Sequence, residues 1–213
     1  MDPKIILITG APGTGKSTLA SLLEAELEGT VLHSLYQVRR DLGHRRYLAG
    51  RNAEVVDKLL ERTCASLDQK QSVLVDSAIS SSERRQRIYD IGIQYGVDVL
   101  VLECICSEKE AKRRMRRRPK SDGLYVEARD PSVYDRFMER FSLQPIENDL
   151  PYNERLSYVR LDTENEFLTV VRVLEHAHPL LSRITRALFP SSQDQRSAYG
   201  TDAAASYAAT VLS

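Results

Sequence analysis

Apolar positions along this chain fall into two alternating textures. Short continuous runs, rich in Val, Ile and Leu, occur at Lys4–Thr9, Thr30–Ser34, Ser72–Asp76, Val97–Ile105 and Leu156–Leu161. Runs of that length and composition read as strands buried on both faces, as in a parallel sheet. Between them lie segments whose apolar residues recur at helical spacing. Leu19, Leu22, Leu23, Ala25 and Leu27 mark a first helix that ends near Glu28-Gly29. Val55, Val56, Leu59, Leu60, Cys64 and Leu67 form the stripe of a longer one over Ala53–Gln69. A helix over Glu83–Tyr95 ends on Gly96, a residue suited to a helix C-cap. Ser107-Glu108-Lys109-Glu110 has the capping-box form and opens a helix that Pro119 stops. Pro131 opens another over Ser132–Phe141. Asn165–His176 is expected to close the fold as a helix, with one more helical piece after Pro179.

The intervals are polar. Leu35–Gly43 reads as a loop entering a short helix, followed by a basic segment, His44–Gly50, that carries Tyr47. Lys120–Asp130 suits a mobile loop. Strands alternating with helices predict an α/β fold with a mainly parallel, five-stranded sheet covered on both faces. Residues 1–178 are expected to form one domain with a lid over about 112–145. Residues 179–213 are expected to add a C-terminal helix and, after Pro190, a loosely ordered tail rich in Ser, Gln, Asp, Gly and Ala.

Composition narrows the class. The 213 residues contain 30 Lys and Arg against 30 Asp and Glu, so overall charge gives no reason to expect a nucleic-acid or membrane partner. No apolar run approaches ~20 residues, so no transmembrane helix is expected. The first strand begins too early to leave room for a signal peptide, and a cytoplasmic protein is expected. Three cysteines, an odd number, argue against a disulfide framework. Cys104 and Cys106, two apart in a strand, are expected on one face as buried thiols rather than as metal ligands.

The candidate chemistry begins at Gly10-Ala11-Pro12-Gly13-Thr14-Gly15-Lys16-Ser17, which satisfies G-x-x-x-x-G-K-[ST] at every specified position. Glycines allow the backbone to curl with its N–H groups inward, where a β-phosphate accepts them. Lys16 is placed to reach the β- and γ-phosphates, and the Ser17 hydroxyl to sit on Mg²⁺. Thr18 belongs to the first turn of the following helix, whose positive end favours an anion. The context the motif requires, a buried strand before and a helix after, is present. The bland alternative is a chance Gly-rich turn.

Further candidates depend on position. Asp76 ends the third strand, and ligands of open parallel sheets collect outside the carboxyl ends of strands. It is therefore placed to meet Mg²⁺, a water on the metal or a substrate-holding Arg; the bland alternative is a helix cap, a role that Ser80-Ser81-Ser82-Glu83 already supplies. The run Lys112–Arg118 puts Arg114 and Arg118 on one helix face and Arg113 and Arg117 on another. Arg114 and Arg118, nearer the loop, are the pair favoured to face phosphates. A solvated face or a nucleic-acid patch competes with that reading, the latter disfavoured by the neutral chain.

Together the phosphate loop, Arg39 after the second strand, Asp76 and the Arg-rich helix resemble the small P-loop kinases. That group includes polynucleotide 5′-hydroxyl kinases, gluconate kinases, zeta-toxin-like kinases and AAA-type ATP-binding proteins. The resemblance covers roughly Lys4–Ala177. It implies the phosphate-loop strand in the middle of the sheet, ATP and Mg²⁺ as donor, Ser17 on the metal, and a lid supplying arginines. It implies catalytic weight on Lys16, Asp76, Arg39 and a lid arginine, with transfer to a hydroxyl of a small molecule or a nucleic-acid end.

The polynucleotide-kinase-like pattern has D-x-x-R after strand two, supplying a base and an acceptor-holding Arg; here it reads Tyr36-Gln37-Val38-Arg39, so Arg39 matches and the Asp does not. A phenol, titrating ordinarily near ~10, is a poor proton acceptor at neutral pH. Asp76, His33 or Asp41 takes that role, or the acceptor needs no strong base, or activity is lost, leaving a regulatory nucleotide-binding protein. Tyr36 as a mere packing residue carries equal weight. The acceptor pocket is expected among Tyr36–Tyr47 and Ser77–Arg84.

Overall fold

A computed structural model describes residues 3–44, 52–118 and 126–190 of the chain. In order they form β1 (Ile5–Thr9), α1 (Lys16–Glu26), β2 (Thr30–Ser34), α2 (Leu35–Asp41), α3 (Asn52–Asp68), β3 (Ser72–Asp76), α4 (Ser82–Tyr95), β4 (Val99–Ile105), α5 (Glu108–Arg117), α6 (Ser132–Phe141), β5 (Leu156–Asp162), β6 (Phe167–Arg172) and α7 (His178–Leu188). Short 3-10 segments at Val126–Arg129, Ile146–Tyr152 and Glu175–Ala177 join them. Most of the basic segment with Tyr47, most of the loop after Pro119 and the tail after Pro190 lie outside the described residues.

The strands make one sheet in the order β2-β3-β1-β4-β5-β6. The first five are parallel, and β6 returns antiparallel to β5. Because successive strand residues point to opposite faces, each apolar run feeds two cores. Ile5, Leu7, Val73, Val75, Val99 and Val101 pack with Val55, Leu59 and Ile88 of α3 and α4 and with Phe137 and Phe141 of α6. Ile6, Ile8, Leu74, Leu100 and Leu102 pack with Leu19 and Leu23 of α1 and with Leu181 and Ile184 of α7. With helices on both faces, β1 has no solvent side, and its Ile5, Leu7 and Ile8 are fully buried. No helix of the described residues is long and apolar enough to cross a membrane.

Two sequence expectations are corrected. The sheet has six strands, not five, because Phe167–Arg172 is a strand and not part of a helix over Asn165–His176. Asp162 Oδ1 accepts from the backbone N–H of Glu164 and Asn165, at 2.9 and 3.0 Å, and Glu166 takes a left-handed φ of 57°. That turn sends the chain back along β5, where the β-branched Thr169-Val170-Val171 suits a pleated edge better than a helix. Cys104 and Cys106 do not share a face: β4 ends at Ile105, Cys104 is buried on the α1 side, and Cys106 packs against the opposite core.

Candidate functional site: the phosphate loop and the carboxyl ends of the strands

Residues 10–15 leave β1 and enter α1 through a turn that glycine alone tolerates at three places. Gly10, Gly13 and Gly15 have φ of 132°, 88° and 90°. Packing adds to the demand: a Cβ on Gly10 would collide with the Cys104 carbonyl oxygen, and one on Gly13 with that of Ala111 in α5. The loop is thus wedged between β4 and α5. Thr14 closes it, donating through Oγ1 to the Ala11 carbonyl at 2.8 Å.

Lys16 is 9% exposed, and its Nζ donates to the same Ala11 carbonyl at 2.7 Å. Burial pushes its pKa below the ordinary lysine value; Asp76 pulls it back up, and the positive charge of Arg118 pushes it down. The ammonium therefore sits folded onto its own loop, close to one carboxylate and one guanidinium. Cys104 lies beneath, its thiol pushed up to about 12 chiefly by burial, so it is inert packing rather than a nucleophile.

Ser17 and Asp76 meet. The Ser17 hydroxyl donates to Asp76 Oδ2 at 2.8 Å. Parallel pairing produces this: Ile8 is in register with Asp76, which brings the end of β3 beside the start of α1. A hydroxyl and a carboxylate side by side form a hard-oxygen pair, the donor chemistry that suits Mg²⁺ when phosphates and water complete its shell. The described residues hold no group of three or more His, Cys, Asp or Glu able to bind a metal by themselves.

The arginines divide. Arg118 caps α5 and lies close enough to Lys16 to act on its charge. Arg114 turns onto Thr163, just past β5: Nη1 donates to Oγ1 at 2.8 Å and Nη2 to the carbonyl at 3.0 Å, while Nε donates to Glu110 at 2.6 Å. Thr163 Oγ1 lies 2.9 Å from the Thr14 carbonyl and 3.2 Å from that of Ile105, and donates between them. Thr163 thus joins the phosphate loop, β4 and α5. Sequence reasoning missed it, because a threonine just after the fifth strand, outside any recognised pattern, carries no motif.

Two further members of the basic run are neutralised locally. Lys112 pairs with Glu108 and Asp135, and Arg113 with Glu110, whose carboxyl is pulled down to about 2 by hydrogen bonds from Arg113 and Arg114.

Arg39 is 7% exposed and donates through Nη2 to Asn52 Oδ1 at 2.6 Å, joining α2 to the start of α3. It stands one turn after Tyr36, in a helix that begins where Ser34 is in register with Asp76. The other two candidate bases are placed elsewhere. Asp41 accepts from Arg62 and Gln37, both at 2.7 Å, on the exposed side of α2. His33 Nε2 is 2.9 Å from Ser66 Oγ of α3, and burial, with the nearby Arg62 charge, holds its pKa below the usual value.

The comparisons agree with this architecture. The structure is similar to a candidate kinase of Chloroflexus aurantiacus, at 19% identity, TM-score 0.60, over 86% of this chain and 98% of that one. It is similar to a gluconokinase of Sinorhizobium meliloti at 16% identity, TM-score 0.50, over 90% of this chain and 95% of that one. It is also similar to a chain of the Pnkp1/Rnl/Hen1 RNA repair complex at 19% identity and TM-score 0.59, over 68% of this chain but only 46% of that one, so it spans less than half of that relative. Identities this low speak for the fold. Comparison with curated proteins gives no match. The model of the AAA domain family matches residues 5–143, from the first strand through α6, and the chain belongs to that family, with the P-loop kinase-like fold.

Proposed function

We propose that this protein is an ATP-dependent phosphotransferase that moves the γ-phosphoryl group of ATP to an acceptor oxygen. The observation that carries the reading is the Ser17–Asp76 hydrogen bond beside a buried Lys16. Phosphoryl transfer is largely positioning and charge stabilisation, and these groups supply both. The phosphate loop Gly10–Thr18 holds the polyphosphate through its backbone N–H groups and the positive end of α1. Lys16 exchanges the Ala11 carbonyl for phosphate oxygens, which also gives its buried charge a counter-charge. Ser17 and Asp76 would hold Mg²⁺, which would supply neutralisation of the polyphosphate charge.

Arg118, close enough to Lys16 to act on its charge, adds paired N–H donors to the moving group. Arg114 acts differently from the sequence expectation: through Thr163 it holds α5 against the loop and so positions Arg118. Arg39 binds the acceptor. The gluconokinase and RNA-repair relatives motivate a hydroxyl acceptor, a sugar-like molecule or a polynucleotide 5′ end, without choosing between them.

One observation favours a second reading. Tyr36 stands one turn before Arg39 where a proton acceptor is expected, which suits a nucleotide-binding protein without transferase activity. The experiment is ATP consumption by the full chain with Mg²⁺, with and without an acceptor panel, against Lys16→Ala. Turnover that rises with an acceptor and vanishes in the folded variant supports the enzyme. ATP binding by calorimetry with no transfer to any acceptor supports the second reading.

A further inference from the structure

Alternation along three neighbouring strands puts a polar row at the end of the sheet opposite the phosphate loop. Ile6 of β1, Leu74 of β3 and Leu32 of β2 all pack toward α1 and α7. The residues two positions earlier, Lys4, Ser72 and Thr30, therefore turn the same way. Pairing sets them side by side. Ser72 is in register with Thr30, and Val73 with Ile5, which brings Lys4 beside Ser72. The backbone N–H of Lys4 donates to Ser72 Oγ at 3.2 Å.

A cavity of about 270 Å³ opens over this row. Ile6, Leu27 and Leu180 give it an apolar wall, each no more than 5% exposed. Lys4, Lys70 and Arg183 bring three cations to its lining, and Glu28 brings one carboxylate. Asp98 holds Lys4 Nζ at 3.0 Å, so the positive balance is modest. Lys70 arrives through the turn that ends α3, where its own N–H donates to the Leu67 carbonyl at 2.9 Å. Three donors in the cavity have nothing to donate to among the described residues: the Lys70 ammonium and the hydroxyls of Ser72 and Thr30. Converging polar donors over an apolar wall are what a small-molecule site consists of.

We propose that this cavity is a second anion site, separate from the phosphate loop, and that it takes a small organic phosphate. The phosphoryl head meets Lys70 and the Ser72 and Thr30 hydroxyls, and a short carbon body lies against Ile6, Leu27 and Leu180. A phosphoryl group has three oxygens to share among these donors, where a carboxylate has two. Pockets for drug-sized ligands run to ~300–1,000 Å³, so a cavity of about 270 Å³ calls for a compact body. Lys4 and Gly10 lie at opposite ends of β1, about 20 Å apart at ~3.3 Å per residue. The two sites can therefore be filled together, and this one does not depend on whether the protein transfers phosphate.

The test is calorimetry on the full chain with three probes of one carbon skeleton: glycerol 3-phosphate, glycerate and glycerol. The phosphate should bind, glycerate should bind at least ~10-fold more weakly, and glycerol should not bind. Lys70→Gln and Thr30→Val should each raise Kd for glycerol 3-phosphate ~10-fold or more, the loss of one hydrogen bond to a charged group. Both variants should melt close to the parent, since neither side chain has a partner to lose among the described residues. Lys16→Ala should leave this binding in place. Absence of glycerol 3-phosphate binding overturns the proposal. So does binding as tight in the double variant Lys70→Gln with Thr30→Val as in the parent, or binding that Lys16→Ala removes, which would place the probe on the phosphate loop. Glycerate bound as tightly as the phosphate overturns the assignment of a phosphoryl head.

Discussion

Ser17 and Asp76, 59 residues apart, touch through a 2.8 Å hydrogen bond that ties the first turn of α1 to the last residue of β3. Two unrelated stretches of sequence thereby become one oxygen-rich corner beside Lys16. Asp76→Asn tests that corner, because the amide oxygen still accepts from Ser17 while the charge is gone. Turnover with Mg²⁺ should fall ~10²–10³-fold. The melting temperature should stay close to that of the parent. A variant of full activity would remove Asp76 from the metal.

Lys16→Met should separate binding from stability. Burial lowers the pKa of Lys16, so over the window between its folded value and the ordinary lysine value of 10.5 the unfolded chain binds more protons than the folded one. The stability of the nucleotide-free protein should therefore rise as pH climbs through that window. Below it, the buried ammonium costs its full amount. Lys16→Met removes both the cost and the slope. A gain of ~1 kcal/mol would raise the melting temperature by ~2–4 °C for a chain of this size. Melts from about pH 7 to about pH 10, with nucleotide binding measured in parallel, check it. The variant should melt higher and bind ATP far more weakly.

Thr163 should matter to nucleotide affinity without touching the chemistry. Its hydroxyl donates toward the Thr14 carbonyl and accepts from Arg114. Thr163→Val removes both interactions, and ~1 kcal/mol per hydrogen bond corresponds to a KM for ATP raised up to ~30-fold, with kcat changed less. Thr163→Ser should restore most of it. An unchanged KM in the valine variant would show that α5 and the phosphate loop are not coupled there.

Arg85 and Asp149 form a buried pair, 2.5 Å apart, that pins α4 to the segment returning from α6. Arg85 also donates to the Gln144 carbonyl, and Tyr89 donates to Asp149. Burial, with the Asp149 charge second, pushes the Tyr89 phenol far above its usual range, so it remains a hydrogen-bond donor. Arg85→Met alone strands the carboxylate and should cost ~3–5 kcal/mol. The double variant Arg85→Met with Asp149→Leu should recover most of that loss in urea unfolding. Equal losses in both would mean the pair holds the segment by geometry that apolar packing cannot replace.

Much of the local geometry of the candidate site was legible before any coordinates. The phosphate loop is a local device: its glycines, Lys16 and Ser17 act within two turns of chain, so spacing alone specifies their geometry. The place of Asp76 beside the phosphate loop was legible for a topological reason, since the carboxyl ends of neighbouring parallel strands lie along one edge of the sheet. The helices were legible through period and caps, as Gly96 and Ser107 illustrate.

Other features belonged to the tertiary structure alone. Phe167–Arg172 became a strand because β5 offered it an edge to pair with, an interaction that no window of ten residues contains. Helical spacing puts Arg114 and Arg118 on one face, but Arg118 ends α5 as its C-cap in extended backbone, so Arg114 meets Thr163 while Arg118 approaches Lys16. Asp41 and His33 were drawn off by Arg62 and Ser66 across the α2–α3 and β2–α3 contacts. Sequence by itself determined the parts whose energetics close within a few neighbouring residues. Folding decided the rest, because the partners of a charged or hydroxyl side chain are chosen by chain segments dozens of residues away, and periodicity carries no record of them.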